Sequence, residues 1–233
     1  MATHVQDVWL GEEARLRGRR FAPYEGAPVR VILHPDLGTI LDEPPVLAFL
    51  ETLGGRVDLF AFEPRGHGGS AGRFGPEMPA DLRGLLDTAP RRWPDGLPLV
   101  LAGHGLGGAL ALAAADHPLV RGAAALAPLL PPLPPPETLE PLRQRAAQPP
   151  AVQEIEALLA SLDLARKVQG LRIPLLLIEA REDPLGNPAA TRSLLGSHPT
   201  AACATVPGAH VTPLEPPWVH VLADWAVHVA AGR

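Results

Sequence analysis

The sequence predicts an α/β protein, a mostly parallel central sheet with helices on both faces. Three observations predict it. Short, near-continuous apolar runs bounded by turn residues recur along the chain, longer stretches with apolar residues at helical spacing separate them, and a glycine-dense turn, Gly103-His104-Gly105-Leu106-Gly107-Gly108, joins one such run to one such stretch. Alternation of short runs and helical patterns is the signature of βα units, and strands without polar alternation are those covered on both faces.

In chain order, residues 8–10 and 14–16 around Gly11, Glu12 and Glu13 read as an antiparallel hairpin at the sheet edge. Central strands are expected at 29–33, 57–62, 97–102, 122–127, 174–178 and 201–206, and helices at 43–53, 79–92, 106–117, 188–195 and 217–231. The last helix places Trp218, Leu222, Trp225 and Val229 on one stripe, the spacing of a helix laid on a sheet. One region breaks the alternation. After Ala127 comes a run rich in proline, Pro128 to Pro136, and then a helical pattern over 152–166. Proline cannot donate to a strand ladder, so this segment leaves the sheet. A small helical, Pro-rich cap or insertion at about 128–170 is expected over the C-terminal edge of the sheet. Its Leu129, Leu130, Leu133, Leu158, Leu159 and Leu162 would wall an apolar pocket or bury a partner's surface. The whole of 1–233 reads as one domain.

Charge and composition restrict the ligand. A net charge of −5 with no basic stripe argues against nucleic acid or an anionic membrane, leaving a small uncharged, apolar molecule or a protein partner. Lys167 is the only lysine, and Ala, Leu, Pro, Gly and Arg are abundant, the bias of GC-rich, bacterial-type coding. No apolar run approaches the roughly 18 residues of a spanning helix, and the first 20 residues lack the apolar core of a signal peptide, so the expected location is the cytoplasm. The only cysteine, Cys203, falls in an apolar strand pattern and is expected to be buried. The glycines at 103–108 form neither a dinucleotide fingerprint nor a P-loop, and no cofactor is expected. His34, His104 and His210 lack a short ligand spacing such as H-x-x-x-H, so no metal site is expected either.

Four motifs carry chemistry. Val31-Ile32-Leu33-His34-Pro35-Asp36-Leu37-Gly38 is a strand entering a His-containing loop. Phe60-Ala61-Phe62-Glu63-Pro64-Arg65-Gly66-His67-Gly68-Gly69-Ser70 is a strand entering a glycine-rich turn. The third is the turn at 103–108, and the fourth pairs Glu182-Asp183-Pro184 after one strand with Val206-Pro207-Gly208-Ala209-His210 after the next. In this order they resemble the α/β-hydrolase superfamily over nearly the whole chain. The resemblance makes 103–107 the nucleophile elbow G-x-S-x-G, with Gly105 where the serine belongs. It makes Asp183 and His210 the acid and histidine of the triad, and it places the oxyanion-hole or ligand-binding groups at Asp36, Leu37, His104 and Leu106. Ser70 takes a position that is structural in the family. Asp183 has a second use available, capping the helix near Pro188 or its turn.

Gly105 has no hydroxyl to attack, deprotonate or acylate. The elbow imposes a positive φ that glycine adopts freely and serine only at a cost of about 1–3 kcal/mol. Pro35 removes an N–H beside the oxyanion position, and an ionised Asp36 facing the pocket would oppose a developing anion. Leu106 N–H remains as half an oxyanion hole. Ser161, Ser193 and Ser197 fall on the insertion or on later helices, while Thr39, which follows the His34 loop, is the more interesting alternative hydroxyl, with nothing nearby that identifies its base. Three readings stand at this point. The chain is a fold inactive as a serine hydrolase that binds a small apolar molecule or a protein; or it is an enzyme using a His210/Asp183 general-base dyad without a nucleophile, with Gly105 leaving room for water; or it is an ordinary esterase-type hydrolase whose serine was replaced by glycine.

Overall fold

The computed structural model describes residues 3–10, 15–23, 25–196, 198–211, 214–215 and 218–232. The strands β1 (Thr3–Leu10), β2 (Leu16–Pro23), β3 (Arg30–His34), β4 (Asp58–Phe62), β5 (Leu99–His104), β6 (Val120–Leu126), β7 (Leu175–Ala180) and β8 (Ala201–Val206) form one sheet in the order β1-β2-β4-β3-β5-β6-β7-β8. The β1–β2 and β2–β4 pairs are antiparallel and the other five are parallel. The expected hairpin is present and longer than its apolar signal, because the polar and charged residues on β1 and β2 break the pattern without breaking the ladder. Its turn, Gly11, Glu12, Glu13 and Ala14, lies outside the described residues, as do Ser197 and Pro217.

Side chains of a strand alternate between faces, and the two faces of β3 feed two cores. Val31 and Leu33 join Phe49, Leu50 and Leu53 of α1 (Pro44–Gly54) and Leu222 and Ala226 of α8 (Trp218–Ala230). Ile32 joins Leu82 and Leu86 of α2 (Met78–Arg92) and Ala109 and Leu112 of α3 (Leu106–Ala114) on the opposite face. Every residue of α3 is buried, so its uniform apolarity replaces the stripe of a surface helix.

Three details differ from the sequence expectation. The buried stripe of α8 runs through Val219, Leu222, Ala223, Ala226 and Val229, with Trp218 and Trp225 half-buried at its flank. β8 is the edge strand, so among the described residues one side has no neighbouring strand, and Cys203 is exposed, not buried. The excursion between β6 and β7 holds three helices: α4 (Pro136–Arg143), α5 (Val152–Ser161) and α6 (Leu164–Gly170). The single helical pattern over 152–166 is interrupted at Asp163, whose φ of 47° is left-handed and ends one helix before the next. α4 carries prolines at its start and at Pro141, which masked it in the sequence; proline is compatible with a helix at its first turn. The remaining helix is α7 (Pro188–Leu195), as expected.

Candidate active site

Between β5 and α3 only Gly105 remains, with φ 54° and ψ −120°, a conformation glycine alone adopts cheaply. Its carbonyl accepts from the N–H groups of Gly108 and Leu129, which ties the elbow to the segment after β6. A Cβ on Gly107 would overlap the carbonyls of His34 and Pro35, so the start of α3 can press directly against the loop after β3. That contact brings Asp36 over the elbow.

The Asp36 carboxylate lies where a side chain at 105 would be. A Cβ on Gly105 would overlap Asp36 Oδ1, Cγ and Oδ2. Leu106 N–H, the first free donor of α3, donates to Asp36 Oδ1 at 2.7 Å. His210 Nε2 donates to Asp36 Oδ2 at 2.9 Å, and His210 Nδ1 donates to Asp183 Oδ2 at 2.8 Å. One imidazole is therefore clamped between two carboxylates from the loops after β3 and β7, with His210 itself in the loop after β8. All three loops leave the carboxyl ends of parallel strands, where α/β folds place their sites.

The electrostatics follow from this contact. Burial alone would push the Asp36 carboxyl up; the hydrogen bond and charge of His210, the nearby His104 and the Leu106 N–H overcome it and hold Asp36 at about 2. Burial would likewise depress His210, but its hydrogen bonds to Asp183 and Asp36, and their charges, raise it to about 10. His210 is an imidazolium at neutral pH, with both ring nitrogens donating. His104 is its opposite: burial lowers it to about 4, so it is neutral. Its Nε2 donates to the His210 carbonyl at 2.9 Å, which places its lone pair on Nδ1. The two rings lie 4.6 Å apart, centroid to centroid.

The other candidate residues are placed as follows. Asp183 serves the turn as well as His210, since its Oδ1 accepts from Leu185 N–H at 2.8 Å; the cap of α7 is Asn187. Leu37, next to Asp36, is buried. Leu106 N–H is satisfied by Asp36 and is not a free oxyanion donor. The space beside Gly105 that a water would need is filled by the same carboxylate. Ser70 is structural: its hydroxyl donates to the Glu63 carbonyl at 2.6 Å and accepts from Arg17 N–H at 2.8 Å. Buried Glu63 accepts from Leu41 N–H and Gly69 N–H, holding the Arg65-Gly66-His67 turn closed. His34 turns away from the elbow, with Nδ1 on the Pro35 carbonyl and its ring edge-on to Phe62. That Asp36 takes the nucleophile's place was not read from the sequence. The available signal was a paired one, a lost side chain at 105 and an added carboxylate on the loop that faces it.

Two cavities accompany the cluster. One of about 20 Å3 touches Asp36, His104 and Thr39 and holds about one water. The larger, about 600 Å3, is a cleft between 130–132, the α5–α6 corner and α7, walled by Leu130, Leu159, Leu164 and Leu194, with Asp163, Asn187 and Ser193 also lining it. Asp36, His104, Asp183 and His210 do not line it.

Known proteins give the same frame. The serine aminopeptidase S33 family (Hydrolase_4) matches residues 54–151, a span that holds the Glu63 turn and the elbow but neither Asp183 nor His210. A soluble variant of monoglyceride lipase from Saccharomyces cerevisiae, in complex with a substrate analogue, superposes with a TM-score of 0.77 at 15% identity over 99% of this chain and 95% of that one. Est1E from Butyrivibrio proteoclasticus, with ferulic acid bound, gives 0.73 at 15% identity over 97% and 98%. An esterase from Pyrococcus furiosus gives 0.70 at 19% identity over 96% and 90%. No curated protein sequence matches the chain. Sheet order, elbow and these structural matches show that the chain has the α/β-hydrolase fold. Among the described residues, no helix is long and apolar enough to cross a membrane.

Proposed function

We propose that this chain is a non-acylating α/β-hydrolase-fold protein that binds a small, uncharged apolar molecule in the cleft beside α7. The observation that carries the reading is the Asp36 carboxylate in the volume of the nucleophile side chain, bonded to both the oxyanion donor Leu106 N–H and the triad histidine. Acyl transfer needs a nucleophile, a base with a free lone pair and an uncommitted donor for the oxyanion. All three are absent or engaged at this elbow. The cleft supports binding: its volume is within the 300–1,000 Å3 of small-molecule sites, and its walls are mostly leucine, proline and alanine. The excursion that forms one wall serves as the cap, and the lipase and esterase structures of similar shape carry a substrate analogue and ferulic acid.

The general-base dyad is disfavoured because His210 already carries protons on both nitrogens. An esterase differing only by serine to glycine is disfavoured because a serine at 105 and Asp36 would claim the same space.

Labelling by a fluorophosphonate probe tests the reading. The native chain and Gly105→Ser are expected to stay unlabelled, while Asp36→Gly combined with Gly105→Ser frees the volume, the donor and the histidine and is expected to label. Strong labelling and ester turnover by Gly105→Ser alone would overturn it. Binding in the cleft is read separately, by quenching of an apolar fluorescent probe on the native chain.

A further inference from the structure

The charges beneath the elbow do not balance. The Asp36 and Asp183 side chains are 3% and 2% exposed, and among the described residues neither pairs with an arginine or a lysine. Two buried carboxylates share one imidazole, and a second imidazole, His104, lies beside it with its ring tilted by 39°. Burying unpaired negative charge is costly, and such groups are normally matched by a cation or a metal ion.

The donor atoms are also convergent. One carboxylate oxygen of Asp36 and one ring nitrogen each of His104 and His210 lie within 4.8 Å of one another, all three residues buried. We infer that Asp36, His104 and His210 form a site for one divalent transition-metal ion. Two imidazoles with one carboxylate suit zinc, cobalt or ferrous iron and not magnesium or calcium, which take oxygen ligands. Asp183 sits where an outer carboxylate orients a metal-bound histidine, accepting from Nδ1 while Nε2 faces Asp36. The cavity of about 20 Å3 that touches Asp36 and His104 has room for one water as a further ligand.

The step is an ion exchange. The dication displaces the Nε2 proton of His210, which leaves to solvent, and no bond is oxidised or reduced. A dication with two carboxylates and two neutral imidazoles is electrically neutral. Tetrahedral ligand atoms with bonds of 2.0–2.2 Å stand about 3.4 Å apart. The Nε2 to Oδ2 separation of 2.9 Å therefore opens slightly while the His104 nitrogen moves inward. Leu106 N–H remains on the other Asp36 oxygen. The ligands come from three separate places, the loop after β3, the end of β5 and the loop after β8, which is why no local ligand spacing marks them in the sequence.

The inference stands apart from the non-acylating reading, since serine labelling decides that one and metal titration decides this one. The full chain, stripped with chelator, is titrated with zinc chloride in a calorimeter and with cobalt chloride followed by visible absorption. One ion per chain is expected, with ligand-field bands of nitrogen and oxygen coordination and no thiolate charge-transfer band. Asp36→Asn and His104→Ala are expected to weaken binding at least about 100-fold, and Asp183→Asn about tenfold, the usual effect of an outer carboxylate. Cys203→Ser is expected to leave binding unchanged. Circular dichroism checks that the variants fold; should one of the first two fail, His104→Gln, which keeps a donor for the His210 carbonyl, decides. No saturable uptake, uptake at native affinity in these ligand variants, or loss in Cys203→Ser overturns the site.

Discussion

The charge cluster lies beneath the elbow, whose Gly105 carbonyl accepts from Leu129 N–H, and the cleft beside α7 begins at the next residue, Leu130, yet the two are built on opposite principles. The cluster is polar, buried and filled by its own side chains: Asp36 stands in the nucleophile's volume, Leu106 N–H is satisfied and both nitrogens of His210 are bonded. The cleft is apolar, roomy and ringed by only a few polar groups. In a serine hydrolase the two would work together, the cleft holding the acyl group and the elbow attacking it. Here the shape for a ligand persists while the chemistry next to it is occupied, which is what allows them to be perturbed independently.

The largest effect is expected from removing the cation of the cluster. His210→Ala leaves Asp36 and Asp183 buried without a cationic partner and should cost about 3–5 kcal/mol of stability, read from urea unfolding of chelator-treated protein at neutral pH. The cleft, by contrast, should still quench an apolar probe under conditions where the variant remains folded. A loss below about 1 kcal/mol would mean that the clamp is not structural.

A smaller effect is expected from pH, and its sign is set by the two shifts. His210 is raised from 6.5 to about 10, so its contribution is complete below about 6.5 and is lost as pH rises through 10. Asp36 is lowered from 3.8 to about 2, so its contribution is present above 3.8 and is lost as pH falls through 2. The cluster therefore stabilises most between about pH 4 and 6.5. Unfolding free energy of the chelator-treated native chain should fall between pH 6.5 and 9.5 relative to that of His210→Ala treated in the same way. Parallel curves for the two proteins would contradict the assignment. Probe binding in the cleft should change little over the same range.

The smallest effect on stability is expected on the other side of the comparison. Ala160 is an exposed residue lining the cleft, and Ala160→Trp should change stability by no more than about 0.5 kcal/mol, as for a surface substitution. It should nevertheless block the apolar probe. Undiminished quenching in this variant would place the probe elsewhere.

The parallel sheet, the elbow and the loops carrying Asp183 and His210 were legible because each has a local signature: an apolar run, a glycine turn, an acid or histidine just past a strand. The excursion was legible only as an interruption. Proline hid α4, and the left-handed residue at Asp163, which divides α5 from α6, has no signal in an apolar period. Cys203 was misjudged because an apolar run does not distinguish a central strand from the last one in the sheet. The role of Asp36 was beyond local reading for a different reason. It depends on Gly105 and His210, which are 69 and 174 positions away, and on the approach that Gly107 permits between α3 and the loop after β3. Spatial complementarity between an absent side chain and a distant carboxylate is not periodic in sequence.

The clamp on His210 is the centre of the account, and its protonation state can be read without altering the chain. Nitrogen-15 NMR of the histidine rings in chelator-treated protein should show His210 with both nitrogens protonated at pH 7.5, titrating only as pH approaches about 10, while His104 is neutral with its proton on Nε2. A His210 ring that is neutral at pH 7.5 and titrates near 6.5 would contradict it, and would return a general base to the elbow.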